Sequence, residues 1–174
     1  MEIERKYLVS QLPDHLESYL HYDIEQGYLC TSPTLRIRRM GDSHILTVKE
    51  HVEMSSNAIH CREEEFSLSP EAYLLLKSKC DHGFITKTRY RIPLTEISIT
   101  PAGVYHKDFS SEHIAPVLIA ELDIFHGKLE GVQLVEVEFP STEAADAFLP
   151  PAWFGQEVSQ DPRYRNANLV LQTL

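Results

Sequence analysis

The chain opens with MEIERKYLV, where Glu2, Glu4 and Lys6 alternate with Ile3, Arg5 and Tyr7. A strand places every second side chain on one face. Three ionised groups therefore line one side of the first strand. The same alternation recurs along most of the chain. Strand-like runs are legible at 2–9, 24–30, 34–40, 44–50, 61–68, 85–94, 119–125 and 134–139. Arg36 and Arg38 share a face of the third run, Thr47 and Lys49 of the fourth, and Glu63 and Glu65 of the fifth. Lys87, Arg89 and Arg91 share a face of the sixth, Glu121 and Asp123 of the seventh, and Glu136 and Glu138 of the eighth. Their other faces carry residues such as Leu35, Val48, Phe66, Ile92, Leu122 and Val135.

One solvated sheet face would explain any single run. Such a face usually mixes Ser, Thr and Gln with its charges, whereas here it is almost purely ionic and segregated by strand. Runs one, five, seven and eight are acidic; runs three, four and six are basic. Eight strands suffice to close a barrel. With the apolar face outward under helices, the fold is α+β: an eight-stranded antiparallel closed β-barrel with helices packed on the outside. Its lumen is then an ionic tunnel, in which Lys6, Arg36, Arg38, Lys49, Lys87, Arg89 and Arg91 face eight carboxylates. Buried charges need partners. Carboxylates at i and i+2 lie about 6.5–7 Å apart, and two such pairs on adjacent strands suit a hard divalent cation. Arginines bind phosphate in bidentate fashion. Phosphoryl transfer uses this combination, because its catalysis is mostly positioning and charge neutralisation.

Other features bound the problem. The 174 residues suit one domain over 1–174, and 43 % hydrophobic residues supply a core. No apolar run is long enough for a membrane span, and the charged N-terminus does not read as a signal peptide. Cys30, Cys61 and Cys80 form an odd set with no CxxC, which predicts reduced structural thiols and a cytoplasmic protein. A net charge of −10 argues against a nucleic-acid partner. There is no Walker A loop, GxGxxG or HExxH. Helices are expected over 12–20, over 70–79 behind the Ser69 cap and Pro70, over 141–148, and near 163–171. A hairpin turn is expected at Met40–His44, and a long loop with a short strand at 97–100 in 96–117.

Glu2-x-Glu4-x-Lys6 resembles the ExExK signature of the CYTH domain, the triphosphate tunnel metalloenzyme superfamily. The resemblance continues in order through QGYL (26–29), LRIRR (35–39), LTVK (46–49), EEEF (63–66), KTRY (87–90), ELDIF (121–125), VEVEF (135–139) and GQEVSQDPRYRN (155–166). It covers nearly the whole chain and is nearest to the small bacterial single-domain members that begin EIERK. It implies a tunnel that binds triphosphate and needs Mg²⁺ or Mn²⁺. The implied metal-binding residues are Glu2, Glu4, Glu136 and Glu138, with Glu63, Glu65 and Asp123 at further acidic positions. The implied substrate-binding residues are Lys6, Arg36, Arg38, Lys49, Lys87, Arg89 and Arg165. Lys6, Glu4 and Arg89 are the residues expected to carry the chemistry. The chain departs from the pattern at Cys61, where relatives often carry Arg, which leaves the register of Glu63 and Glu65 open by one residue. It departs again at Ala120, where relatives often carry Trp.

The activity expected is hydrolysis of a linear triphosphate, foremost inorganic tripolyphosphate to pyrophosphate and phosphate, by a monomer or homodimer. Adenylate cyclase or thiamine triphosphatase chemistry fits the same tunnel if an aromatic group docks the organic moiety; Tyr28, Tyr105, Phe109 and Trp153 are the candidates. A non-catalytic polyphosphate or organophosphate sensor is a third reading. The set Glu2, Glu4, Glu136 and Glu138 argues against it, since a pure anion binder gains nothing from carboxylates.

Overall fold

The computed structural model describes residues 2–52, 58–81, 83–94 and 117–173. Among the described residues nine strands are formed: β1 (Glu2–Val9), β2 (Leu20–Thr31), β3 (Thr34–Met40), β4 (Ser43–Val52), β5 (Ile59–Ser67), β6 (Phe84–Pro93), β7 (Ile119–Phe125), β8 (Gln133–Glu138) and β9 (Phe154–Glu157). Eight of them run in the order β5-β4-β3-β2-β6-β7-β8-β1, and β1 pairs back onto β5, which closes the barrel. Every pairing is antiparallel. Closure removes the exposed edges that an open sheet of this length would present. The expected Met40–His44 turn is a tight hairpin in which Met40 pairs with Ser43. Gly41 takes the left-handed conformation that the turn needs, at φ 57°. Gly27 on β2 lies so close to the Phe84 ring that a Cβ there would collide with it.

Two strand limits differ from the sequence reading. β2 starts at Leu20 rather than at residue 24 and pairs with β6 from Leu20–Arg91 onward. That leaves no room for the helix expected over 12–20. The segment forms only a 3₁₀ turn at Leu16–Ser18, entered through a left-handed His15. The second difference is β9, which has four residues and too short an alternation to read. It is held on β1 by a tertiary contact in which Arg5 donates Nε to Glu157 Oε1 at 2.9 Å.

Helix α1 (Pro70–Lys77) starts as its sequence dictates, with the Ser69 hydroxyl accepting from Ala72 N. Helix α2 (Thr142–Ala147) does the same with Ser141 and Ala144 N. The helix expected near 163–171 is broken into a 3₁₀ turn at Pro162–Tyr164, α3 (Asn166–Leu169) and a second 3₁₀ turn at Val170–Thr173. The break is the extended Arg165, whose side chain lines the lumen. The strand expected at 97–100 and the aromatic candidates Tyr105 and Phe109 lie outside the described residues. No helix among the described residues is long and apolar enough to cross a membrane.

Among the described residues, apolar side chains form two clusters. One lies on the outer wall of β1, β7 and β8, where Tyr7, Leu122, Val135 and Val137 pack under Phe148 of the α2 C-terminus and Phe154 of β9. The other fills one end of the lumen. Ile85, Phe125 and Leu134 share the inward face with Lys87, Asp123 and Glu136 two residues on, and they pack with Tyr28, Val158, Leu169 and Val170. The expected tunnel is therefore a well, with an ionic wall and an apolar floor made partly by the C-terminal segment.

Candidate active site

The well has a volume of about 610 Å³. Lys6, Arg36, Arg38, Lys49, Lys87, Arg89 and Arg91 line it, as period 2 predicts, and Arg165 joins them from the loop before α3. Glu2, Glu4, Glu63, Glu65, Glu121, Glu136 and Glu138 line it as well. Asp123 lies behind this wall, 1 % exposed and bonded to two of its cations. The strand-five register is settled by pairing: Lys49 stands opposite Glu63 and Thr47 opposite Glu65, with Cys61 next in line opposite Glu2 of β1.

The charges segregate into two groups. The deep group centres on Arg89 of β6. Its guanidinium donates to both oxygens of Asp123, at 2.7 and 2.6 Å, to Glu136 Oε2 at 2.7 Å, and to Glu121. Lys87 donates to Asp123 at 2.5 Å and Lys6 pairs with Glu136 at 2.6 Å. Burial opposes ionisation of Glu136, yet the Lys6, Arg89 and Lys87 charges outweigh it and hold its carboxyl well below the usual range. Burial likewise opposes ionisation of Asp123, and Arg89 and Lys87 reverse the balance. Lys87 itself is pulled down to about 8, first by burial and then by the Arg89 charge, against the attraction of Asp123.

The outer group centres on Lys49 of β4. Its ammonium lies 2.6 Å from Glu2, 3.2 Å from Glu63 and 3.5 Å from Glu4. One ammonium cannot balance three carboxylates. Burial, opposed by Lys49 but reinforced by the Glu4 charge, pushes Glu2 up to about 8. Glu63 and Glu138 both sit against its carboxyl. Burial and the Glu121 charge also raise Glu138. Arg38 pairs with Glu65 at 2.9 Å on the more exposed side of this group.

This donor set fits a hard divalent cation. Glu2, Glu4, Glu63 and Glu138 bring oxygen ligands from three strands, and burial together with the neighbouring carboxylates makes an added positive charge favourable there. Among the described residues, no three carboxylate, His or Cys side chains already converge in ligating geometry; the oxygens are turned toward Lys49 and toward one another. The fold does not bring Glu65, Asp123 and Glu136 into this cluster. Each is engaged by a cation elsewhere in the wall.

A consequence for stability follows from Glu2. The unfolded chain loses that proton near 4.5, while the folded chain keeps it to about 8. The folded state therefore binds more protons across this window, and stability contributed at low pH is lost as pH rises through it. Glu2→Gln should raise the Tm of the metal-free protein at pH 8 by about 5 °C and flatten its fall between pH 5 and pH 8. Thermal melts in chelator check this; an unchanged slope in the variant would remove Glu2 as the group that titrates.

Among the described residues, three guanidinium Nε–H groups of the wall are buried without a partner, those of Arg36, Arg38 and Arg165. Asn166 Oδ1 is buried beside them without a partner. Asn166 and Tyr22 line the well although sequence reasoning passed over both. The signal for Asn166 was its place directly after Arg165. That for Tyr22 was the alternation of Leu20, Tyr22 and Ile24, hidden by setting the strand start too late. Tyr28 is buried at the floor and Trp153 packs edge-on against Phe154 on the outer wall, so neither offers an organic group a stacking surface at the mouth.

A closed antiparallel barrel with an ionic lumen is the architecture of CYTH-type triphosphate tunnel proteins. No protein-family model matches the chain. Two curated relatives do: an inorganic triphosphatase of Nitrosomonas europaea, 37 % identical over 175 residues (98 % of this chain, 97 % of that protein), and one of Acetivibrio thermocellus, 31 % identical over 173 residues (97 % and 92 %). Among solved structures, the inorganic triphosphatase NE1496 matches with a TM-score of 0.63 and 34 % identity over 98 % of this chain and 95 % of that one. A putative adenylyl cyclase from Hippeastrum, 16 % identical, matches with a TM-score of 0.54 over 84 % and 83 % of the two chains and shares the fold alone. The chain belongs to the inorganic triphosphatase family within the CYTH, or triphosphate tunnel, superfamily.

Proposed function

We propose that this chain is a single-domain, divalent-metal-dependent hydrolase that cleaves inorganic tripolyphosphate to pyrophosphate and phosphate inside the well. The observation that carries the reading is the outer charge group. Lys49 is held by Glu2, Glu4 and Glu63, while the Arg36 and Arg38 guanidinium groups beside it keep unused N–H donors. Such a wall is poised to exchange partners. Triphosphate, with about four to five negative charges near neutral pH, takes the cations; the carboxylates released from them take Mg²⁺ or Mn²⁺. The names of the two relatives support the same substrate.

In this mechanism Arg36, Arg38, Lys49 and Arg165 hold the phosphate oxygens, and Lys6, Lys87 and Arg89 neutralise the deep end of the substrate. Glu2, Glu4, Glu63 and Glu138 would hold the cation, which bound there supplies charge neutralisation at the phosphate oxygens and a more acidic water. The water oxygen attacks a terminal phosphorus and its proton passes to a nearby carboxylate of the wall that does not hold the cation. The bond from that phosphorus to the bridging oxygen breaks, and pyrophosphate leaves with the electron pair. Arg89, locked by three carboxylates, keeps its position while charge moves onto the leaving oxygen. Asp123 and Glu136 serve here by fixing Lys6, Lys87 and Arg89.

A substrate panel with and without Mg²⁺ and Mn²⁺ tests this. Tripolyphosphate turnover that needs either metal and exceeds turnover of ATP and thiamine triphosphate is the expected result. Faster formation of cyclic AMP from ATP would replace the reading with a cyclase, and tight chelator-insensitive binding without turnover would replace it with a sensor. Arg38→Ala checks the wall itself. Among the described residues its guanidinium pairs with Glu65, which is 41 % exposed, so the fold should lose less than about 1 kcal/mol. Tripolyphosphate KM should rise at least about tenfold. Equal losses of fold and affinity would make the pair structural.

A further inference from the structure

Thr47 is fully buried on β4, two residues before Lys49 and on the same inward face. It stands directly opposite Arg36 of β3 on one side and Glu65 of β5 on the other. Its hydroxyl accepts from Arg36 Nη2 at 3.3 Å and donates to Glu65 Oε1 at 3.2 Å. Arg38 Nη2 donates to that same carboxylate oxygen at 2.9 Å. A guanidinium offers only donors, a carboxylate only acceptors, and a hydroxyl has a single hydrogen, so the direction of this chain of bonds is fixed. One oxygen of Glu65 thus holds two guanidinium groups, Arg38 directly and Arg36 through the hydroxyl.

We propose that Thr47 is a positioning residue for substrate binding: its hydroxyl aims Arg36 at the phosphate oxygens without touching the substrate itself. The inference rests on the reading of the well as a triphosphate site. Two features favour a hydroxyl at this place. Arg36 also faces Glu63 Oε1, at 3.5 Å. Glu63 belongs to the set that would hold the cation, so that contact is given up when metal and substrate enter. The Thr47 contact is independent of the cation, because the hydroxyl is buried behind the wall and bonded only along the chain from Arg36 to Glu65. The hydroxyl is also neutral. A carboxylate in its place would offset the guanidinium charge that the phosphate is to meet, whereas a hydroxyl orients the group and leaves its charge in full. Glu65 then acts as the anchor of the arginine pair, in keeping with its place outside the Glu2 cluster.

Thr47→Val keeps the shape of the side chain and removes the hydroxyl. The Kd for tripolyphosphate, by calorimetry in chelator, and the KM in Mg²⁺ should each rise about fivefold. The kcat should stay within about twofold, because Arg36 meets phosphate in ground state and transition state alike. Thr47→Ser, which keeps the oxygen, should bring both constants back to within about twofold of wild type. In an Arg36→Ala background, Thr47→Val should add nothing to the loss in Kd, since the group it aims is gone. A Thr47→Val variant that lowers Tm but leaves Kd and KM unmoved would make the hydroxyl structural and overturn the inference. Equal losses in the Val and Ser variants would overturn it as well, because the hydroxyl would then not be the cause. If Arg36→Ala alone leaves Kd unmoved, the triphosphate reading of the well is what fails.

Discussion

Glu4→Gln should abolish metal-dependent turnover of tripolyphosphate, with a loss of at least about 10³-fold in kcat, in a protein that folds as before. Glu4 stands at the meeting point of β1, β5 and β8, directly opposite Glu138 on one side and Ile59 on the other. It is 7 % exposed and faces Lys49 at 3.5 Å, a looser contact than that of Glu2 or Glu63. Glu4 thus contributes little to holding the metal-free wall together, while its charge worsens the crowding that keeps a proton on Glu2. Removing that charge should leave Tm unchanged or raise it by a few degrees, roughly as relief of like-charge repulsion requires. Mn²⁺ titration followed by electron paramagnetic resonance reads the same residue without turnover, and the variant should bind the ion at least about tenfold more weakly. Wild-type turnover in Glu4→Gln would take the metal away from this end of the well.

The second large effect concerns stability. Arg89→Ala should cost about 3–5 kcal/mol, the range for stripping the partner from a buried charge, because Asp123 loses its main cation and Glu136 one of its two direct partners. The pH dependence identifies the cause. In the wild type the carboxyls of Asp123 and Glu136 are held below their usual range, so they contribute stability above the unfolded carboxylate pKa near 4, and this is lost as pH falls through their folded values. In the variant that contribution is reduced, with only Lys87 left to oppose burial at Asp123 and Lys6 and Lys87 at Glu136. The deficit relative to wild type should be largest at pH 7–8 and shrink toward pH 4, as the variant's carboxyls, left with fewer cations, take up protons while those of the wild type stay ionised. Denaturant unfolding at several pH values measures it. A deficit that does not vary with pH would mean that Arg89 acts through packing.

Much of this arrangement was legible before any coordinates. Seven of the eight barrel strands were placed to within two residues or so because their ionic and apolar residues alternate with period 2 over six to ten positions. Ser69 and Ser141 each announced a helix start through a cap that satisfies a backbone N–H. The failures have physical causes too. The segment 12–20 has the spacing of an amphipathic helix, but β6 continues to Pro93 and draws the residues from Leu20 onward into its ladder, a tertiary override of local preference. β9 is too short to show a period and exists because Arg5 grips Glu157. The C-terminal helix is interrupted at Arg165, where the backbone turns the side chain into the well instead of continuing the helix.

The sequence by itself determined which side chains face the lumen and which face outward, since that follows from alternation along each strand and needs no knowledge of partners. Only the tertiary structure decided which carboxylate meets which cation. Pairing across a closed barrel depends on stagger between strands far apart in the chain, so Glu136 fell to Lys6 and Arg89, whereas Glu138 joined Glu2 at the mouth. It also decided that the tunnel has a floor, because Leu169 and Val170 reach Phe125 and Leu134 only after the chain has wound fully round the barrel.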